Sequence, residues 1–141
     1  MKWTGDIKHF VVTGDIHGNV KDIQHFCDTY DIASHALIIL GDVGFNFYLN
    51  KTDRRNKEYA QGLGCLIYCV RGNHEERPEN LPTILQDYDE IIDGYVWYEE
   101  QYPNIRYLQD GGLYNFNGYT ISDKICLRNN TSKGNLLFEI Y

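Results

Sequence analysis

A chain of 141 residues, 43% hydrophobic and 23% charged, has the make-up of a single globular domain, and no apolar run approaches the roughly 20 residues of a membrane-spanning helix. A formal net charge of -7 argues against a nucleic acid backbone as partner, because a polyanion would be met only through metal ions held by the acids. The opening MKWTGDIKHF holds no apolar stretch of signal-peptide length, so a cytoplasmic protein is expected.

In chain order, HFVVTGD (9–15) reads as a short buried strand that ends in a turn. NVKDIQHFCDTYD (19–31) places Val20, Ile23, Phe26 and Cys27 at helical spacing. HALIILGD (35–42) is a second apolar run ending in Gly-Asp. NKTDRRNKEYAQGLG (50–64) is polar, helical in its middle and stopped by glycines, and NKTDRRNK reads as a solvated helix start. CLIYCVRGN (65–73) is a third apolar run, ending in Gly-Asn. Strand, helix, strand, helix, strand in units of roughly 30 residues predicts βαβ pairs and a parallel sheet. EERPENLPTILQDYDE (75–90) carries two prolines and reads as a loop with one short helix. GYVWYEEQYPNIRYLQDG (94–111) predicts one or two short strands. GLYNFNGYTIS (112–122) predicts a hairpin, with Asn117-Gly118 as its two-residue turn. The last segment, 123–141, has a turn-like centre and a final apolar stretch.

The cysteines are Cys27, Cys65, Cys69 and Cys126. Cys65 and Cys69 lie four apart on one strand, about 13 Å from each other, too far for a disulfide. They read as small core residues in a reducing compartment. The twelve tyrosines have no basic residues interleaved, which favours packing over base stacking.

The chemistry lies at the strand ends. VVTGD, IILGD and CVRGN each close an apolar run with glycine and then an oxygen ligand. Gly14, Gly41 and Gly72 are expected to let the backbone turn sharply. Open α/β sheets gather ligands at the carboxyl ends of their strands, so Asp15, His17, Asp42 and Asn73 should converge, with His74 beside them. Carboxylate, amide oxygen and imidazole suit a divalent ion such as manganese, iron, zinc or magnesium. A central carboxylate can bridge two ions about 3.5–4 Å apart. His74 is placed to donate a proton to a leaving group. Glu75 is expected to orient His74 or a loop amide, and Arg71 to pair with Glu75 or Glu76 rather than touch a phosphate. His9, His25 and His35 read as surface or helix-end residues.

GDIHG, GDVG and GNHE, in this order and spacing, resemble the calcineurin-like metallophosphoesterase family. The resemblance covers residues 9–75 well and is compatible with 76–120. It implies an α/β fold, a β-sandwich flanked by helices, over a single domain (1–141). It also implies a two-metal site that hydrolyses a small phosphomonoester or phosphodiester by in-line attack of metal-bound hydroxide. By motif position, Asp15 and His17 would hold the first metal, Asp42 would bridge, Asn73 would bind the second, and His74 would be catalytic. Departures come later in the chain. No histidine follows His74, and the family's late Gly-His-x-His-like motif has no counterpart. Residues 121–141 depart from the family's pattern, which leaves the C-terminal part of the fold incomplete and points to truncation or a frameshift. The alternative is therefore a catalytically impaired homologue that binds one metal weakly or binds a partner. An uncovered apolar sheet face would favour self-association.

Overall fold

The computed structural model describes residues 3–122. Its strands and helices follow in the order β1 (His9–Thr13), α1 (Val20–Thr29), β2 (His35–Leu40), α2 (Lys51–Gly62) and β3 (Leu66–Val70). A single 3₁₀ turn at Pro78–Asn80 comes next. β4 (Ile84–Asp89), β5 (Gly94–Glu99), β6 (Tyr102–Leu108), β7 (Leu113–Phe116) and β8 (Tyr119–Ser122) complete the described chain. The expectations for 123–141, Cys126 among them, lie outside the described residues.

Six strands form one sheet in the order β1-β2-β3-β6-β5-β4. β1, β2, β3 and β6 run parallel, and β5 and β4 are added antiparallel. β2 and β3 are buried almost end to end, as parallel strands covered on both faces must be. The strand period of two sorts their side chains into two cores. Leu37, Ile39, Ile67 and Cys69 face the helices and pack with Ile23 and Phe26 of α1 and Ala60 of α2. Ala36, Ile38, Leu66 and Tyr68 face the other way and pack with Phe10, Tyr114 and Phe116.

The second layer on that opposite face is the β7–β8 hairpin, a two-stranded sheet. Asn117 (φ 53°) and Gly118 (φ 89°) both take positive φ, as the expected two-residue turn requires. Phe116 meets the edges of Phe10 and Tyr68 at centroid distances of 5.0 and 5.8 Å. The Tyr114 hydroxyl donates to Tyr95 O at 2.6 Å, which ties the hairpin to β5. The hairpin thus lies over the sheet face opposite the helices, while Leu85, Tyr88, Tyr95 and Leu113 remain exposed.

Three sequence expectations need correction. The stretch 84–89 is a strand, not part of a loop. It is an edge strand whose exposed and half-buried positions do not alternate, so it carries no period-two signal. The start of α2 is not wholly solvated, because Asp53 and Lys57 are 2% and 7% exposed. Lys57 Nζ donates to Glu99 Oε1 at 2.6 Å, and Thr83 Oγ1 donates to Glu99 Oε2 at 2.6 Å. Arg71 pairs with Asp110, at 3.2 Å, and not with Glu75 or Glu76. The cause is topological: β6 lies beside β3 in parallel, so the residues just past both strand ends meet.

Cys65 and Cys69 are buried free thiols in the helix-side core, and burial pushes both upward in pKa. His25 is exposed on α1, whereas His9 and His35 are half-buried at the starts of β1 and β2, with rings 4.7 Å apart.

Candidate metal centre

The three parallel strands β1, β2 and β3 end at one edge of the sheet, and the loops that follow them are tied together there. His17 N donates to Asp42 O at 2.9 Å and Gly18 N donates to Val43 O at 2.8 Å, joining the first loop to the second. His74 N donates to Asp42 Oδ1 at 2.9 Å, joining the third loop to the second. Glu75 Oε1 accepts from Gly44 N at 2.5 Å and from Phe45 N at 3.1 Å, a second tie between the same loops.

Close approach of these loops demands glycine at two places. A Cβ on Gly44 (φ 87°) would stand 2.6 Å from Gly18 Cα. A Cβ on Gly72 would stand 2.5 Å from Asp42 Cγ and collide with the Asp42 carboxylate and amide. Gly41 takes φ 81°, as its turn requires. Gly14 corrects the sequence expectation: a Cβ there would meet nothing within 4 Å, and its φ lies outside the left-handed region. Strain sits instead on two of the candidate ligands, since His17 (φ 47°) and Asp42 (φ 40°) are non-glycine residues with left-handed backbones.

These loops bring four of the expected residues together. His17 Nε2 lies 2.7 Å from Asp15 Oδ2, and His74 Nδ1 lies 2.9 Å from Asp42 Oδ2. The His17 and His74 rings are 6.3 Å apart. One donor atom from each of Asp15, His17 and Asp42 falls within a mutual 4.8 Å. Donors bound to one ion at 2.0–2.2 Å can stand at most about 4.4 Å apart, so a small side-chain rotation brings this set onto a single ion. Two carboxylates and an imidazole are also the donor chemistry that suits a divalent first-row metal. Asn73 is exposed on the same loop, between Gly72, packed against Asp42, and His74.

Electrostatics keep the centre anionic. Burial raises the Asp42 carboxyl, but the side-chain and backbone hydrogen bonds from His74 and the nearby imidazoles outweigh it. The carboxyl therefore lies below the ordinary aspartate value. Glu75 moves the other way: burial raises it, and the amides of Gly44 and Phe45 only partly offset the rise. A carboxylate only accepts, so the proton between His74 and Asp42 belongs on Nδ1. The ring is exposed, which leaves Nε2 as the nitrogen able to exchange a proton at the cleft.

The site opens into a cleft of about 410 Å³ lined by His17, Asp42, His74 and Glu75 and also by Phe47, Tyr48, Thr52 and Asn56. The last four were not among the residues expected from the sequence. Their one signal was the aromatic run in GFNFYL directly after the second Gly-Asp, an odd composition for a loop.

No helix among the described residues is long and apolar enough to cross a membrane. A family model described as calcineurin-like phosphoesterase matches residues 8–139. Neither curated proteins nor solved structures yield a match.

Proposed function

Because the chain belongs to the calcineurin-like phosphoesterase family, we propose that it hydrolyses a small phosphoester with Asp15, His17 and Asp42 holding a divalent ion, Asn73 and Asp42 serving a second, and His74 acting as proton donor. The observation that carries this reading is the Asp15–His17–Asp42 donor group at the parallel strand ends. A divalent ion held there supplies Lewis acidity toward a phosphoryl oxygen and lowers the pKa of water.

The protein's own groups do the rest. Asp42 fixes the His74 ring through Nδ1 and so aims Nε2 at the cleft. As water oxygen bonds to phosphorus, the bond from phosphorus to the ester oxygen breaks and its electron pair leaves with that oxygen. His74, protonated at both ring nitrogens for this step, delivers the Nε2 proton to the departing alcohol and regains one, the proton the water loses. Glu75 holds the Gly44 and Phe45 amides and keeps the loop bearing Asp42 in register with that bearing His74.

A second reading, a catalytically impaired homologue that binds one ion weakly, is favoured by donor count. The group has three side chains, and no histidine follows residue 74. Hydrolysis of p-nitrophenyl esters with added manganese separates the two. Turnover that needs metal and falls about 100-fold or more in Asp42→Asn supports the enzyme. His74→Ala should lower kcat by roughly 100-fold or more while bound manganese, measured by calorimetry, stays constant. Manganese binding without turnover at any concentration supports the impaired homologue.

A further inference from the structure

The loop between β2 and α2 is anchored and yet turns its aromatic residues outward. Val43 and Phe45 are fully buried, and Asn46, 2% exposed, donates from Nδ2 to the Tyr107 hydroxyl at 3.0 Å. Glu75 grips the Gly44 and Phe45 amides from the third loop. Directly after these anchors, Phe47 and Tyr48 are 52% and 60% exposed, their rings packed edge to face at 4.7 Å. A loop so firmly held could have buried these side chains or been polar. Instead both rings line the same 410 Å³ cleft as His17, Asp42 and His74, a volume suited to a small ligand. Set edge to face beside the candidate centre, the two rings offer a planar group one face to stack on and one edge to abut.

Charge narrows the ligand further. The cleft is lined by the carboxylates of Asp42 and Glu75, and no lysine or arginine is among the described residues that line it. Asp15 adds a third carboxylate beside His17. Among the described residues that line the cleft, the protein thus supplies no lysine or arginine to offset the second charge of a dianion. A phosphomonoester carries close to two charges at neutral pH, whereas a phosphodiester carries one.

Resting on the reading above, we infer that the cleft takes a phosphodiester bearing a planar aromatic group, which stacks on Phe47 and Tyr48 while the phosphorus lies at the Asp15–His17–Asp42 group. Water adds to phosphorus, one ester bond breaks, and the products are a phosphomonoester and an alcohol that carries off the transferred proton.

The test uses the full chain with manganese and three substrates: bis(p-nitrophenyl) phosphate, p-nitrophenyl phosphate and the alkyl diester glycerophosphoglycerol, the last read by glycerol release. The aryl diester should exceed the aryl monoester in kcat/KM. In the double variant Phe47→Leu/Tyr48→Leu, the aryl-to-alkyl diester ratio of kcat/KM should fall roughly tenfold, chiefly through KM. The ring-retaining pair Phe47→Tyr/Tyr48→Phe should keep that ratio, which separates stacking from loop damage. An unchanged ratio in the leucine variant, or a preference for the monoester, overturns this inference and leaves the phosphoesterase reading standing. Absence of turnover with all three substrates overturns the reading itself and the inference with it.

Discussion

At the residue scale, the candidate site is built as much by absent side chains as by present ones. Gly72 lets the third loop lie against the Asp42 carboxylate, and Asp42 cannot give way because His74 holds both its oxygens. Gly72→Ala should therefore cost about 1–3 kcal/mol through forced displacement and weaken manganese binding. Gly14→Ala meets open space and should stay within about 0.5 kcal/mol of the parent. Urea denaturation and metal calorimetry of the two variants check the contrast, and equal behaviour would remove the steric argument. The sequence pattern marks three matched Gly-polar pairs but does not say which glycine bears a contact. Asp15, His17, Asp42 and His74 were legible because parallel strand ends must share an edge. The Glu75 grip on two backbone amides was only half legible: a loop amide was one of two partners expected, and which amides depends on how two loops cross.

At the element scale, legibility followed burial. β2 and β3 are sandwiched between two layers and read as plain apolar runs, whereas β4 is an edge strand that reads as a loop. α2 shows a different limit. Its polar sequence suggests a solvated surface, yet it is fastened to β5 by an ion pair whose side chains are 9% and 10% exposed. Charged partners 42 residues apart in the chain leave no local pattern to read. The same helix carries Thr52 and Asn56 into the cleft, so this fastening also positions that part of its lining. Removing one partner of a buried pair strands the other charge, so Lys57→Met should cost about 3–5 kcal/mol. Replacing both, Lys57→Met with Glu99→Leu, should restore most of that stability, since a packed apolar pair avoids the desolvation cost. Urea midpoints for the two variants and the parent measure the cycle. A double variant as unstable as the single one would show that Glu99 matters chiefly through Thr83.

At the scale of the whole molecule, the candidate metal centre lies where three strand-end loops are tied together, so an ion bound there should stabilise the entire fold by mass action. At a free manganese concentration 100 times Kd, the gain is about 2.7 kcal/mol, which for a chain of this size raises Tm by on the order of 10 °C. The pH dependence has a definite sign. Asp42 lies below its ordinary value because the His74 hydrogen bonds outweigh burial. Its contribution is therefore fully present above the unfolded carboxylate pKa of about 3.9 and lost as pH falls through the lower folded value. Between about pH 5.5 and 7.5, Asp42 stays ionised in both folded and unfolded chains and adds no slope. Every ligand atom of the Asp15–His17–Asp42 group must be free of a proton to bind an ion, so metal affinity rises with pH. His17→Ala, which removes one of the three donors, should have a smaller manganese-induced rise in Tm than the wild type at pH 7.5. Differential scanning fluorimetry with and without manganese measures both proteins, and a variant increment equal to that of the wild type would remove His17 from the ligand set.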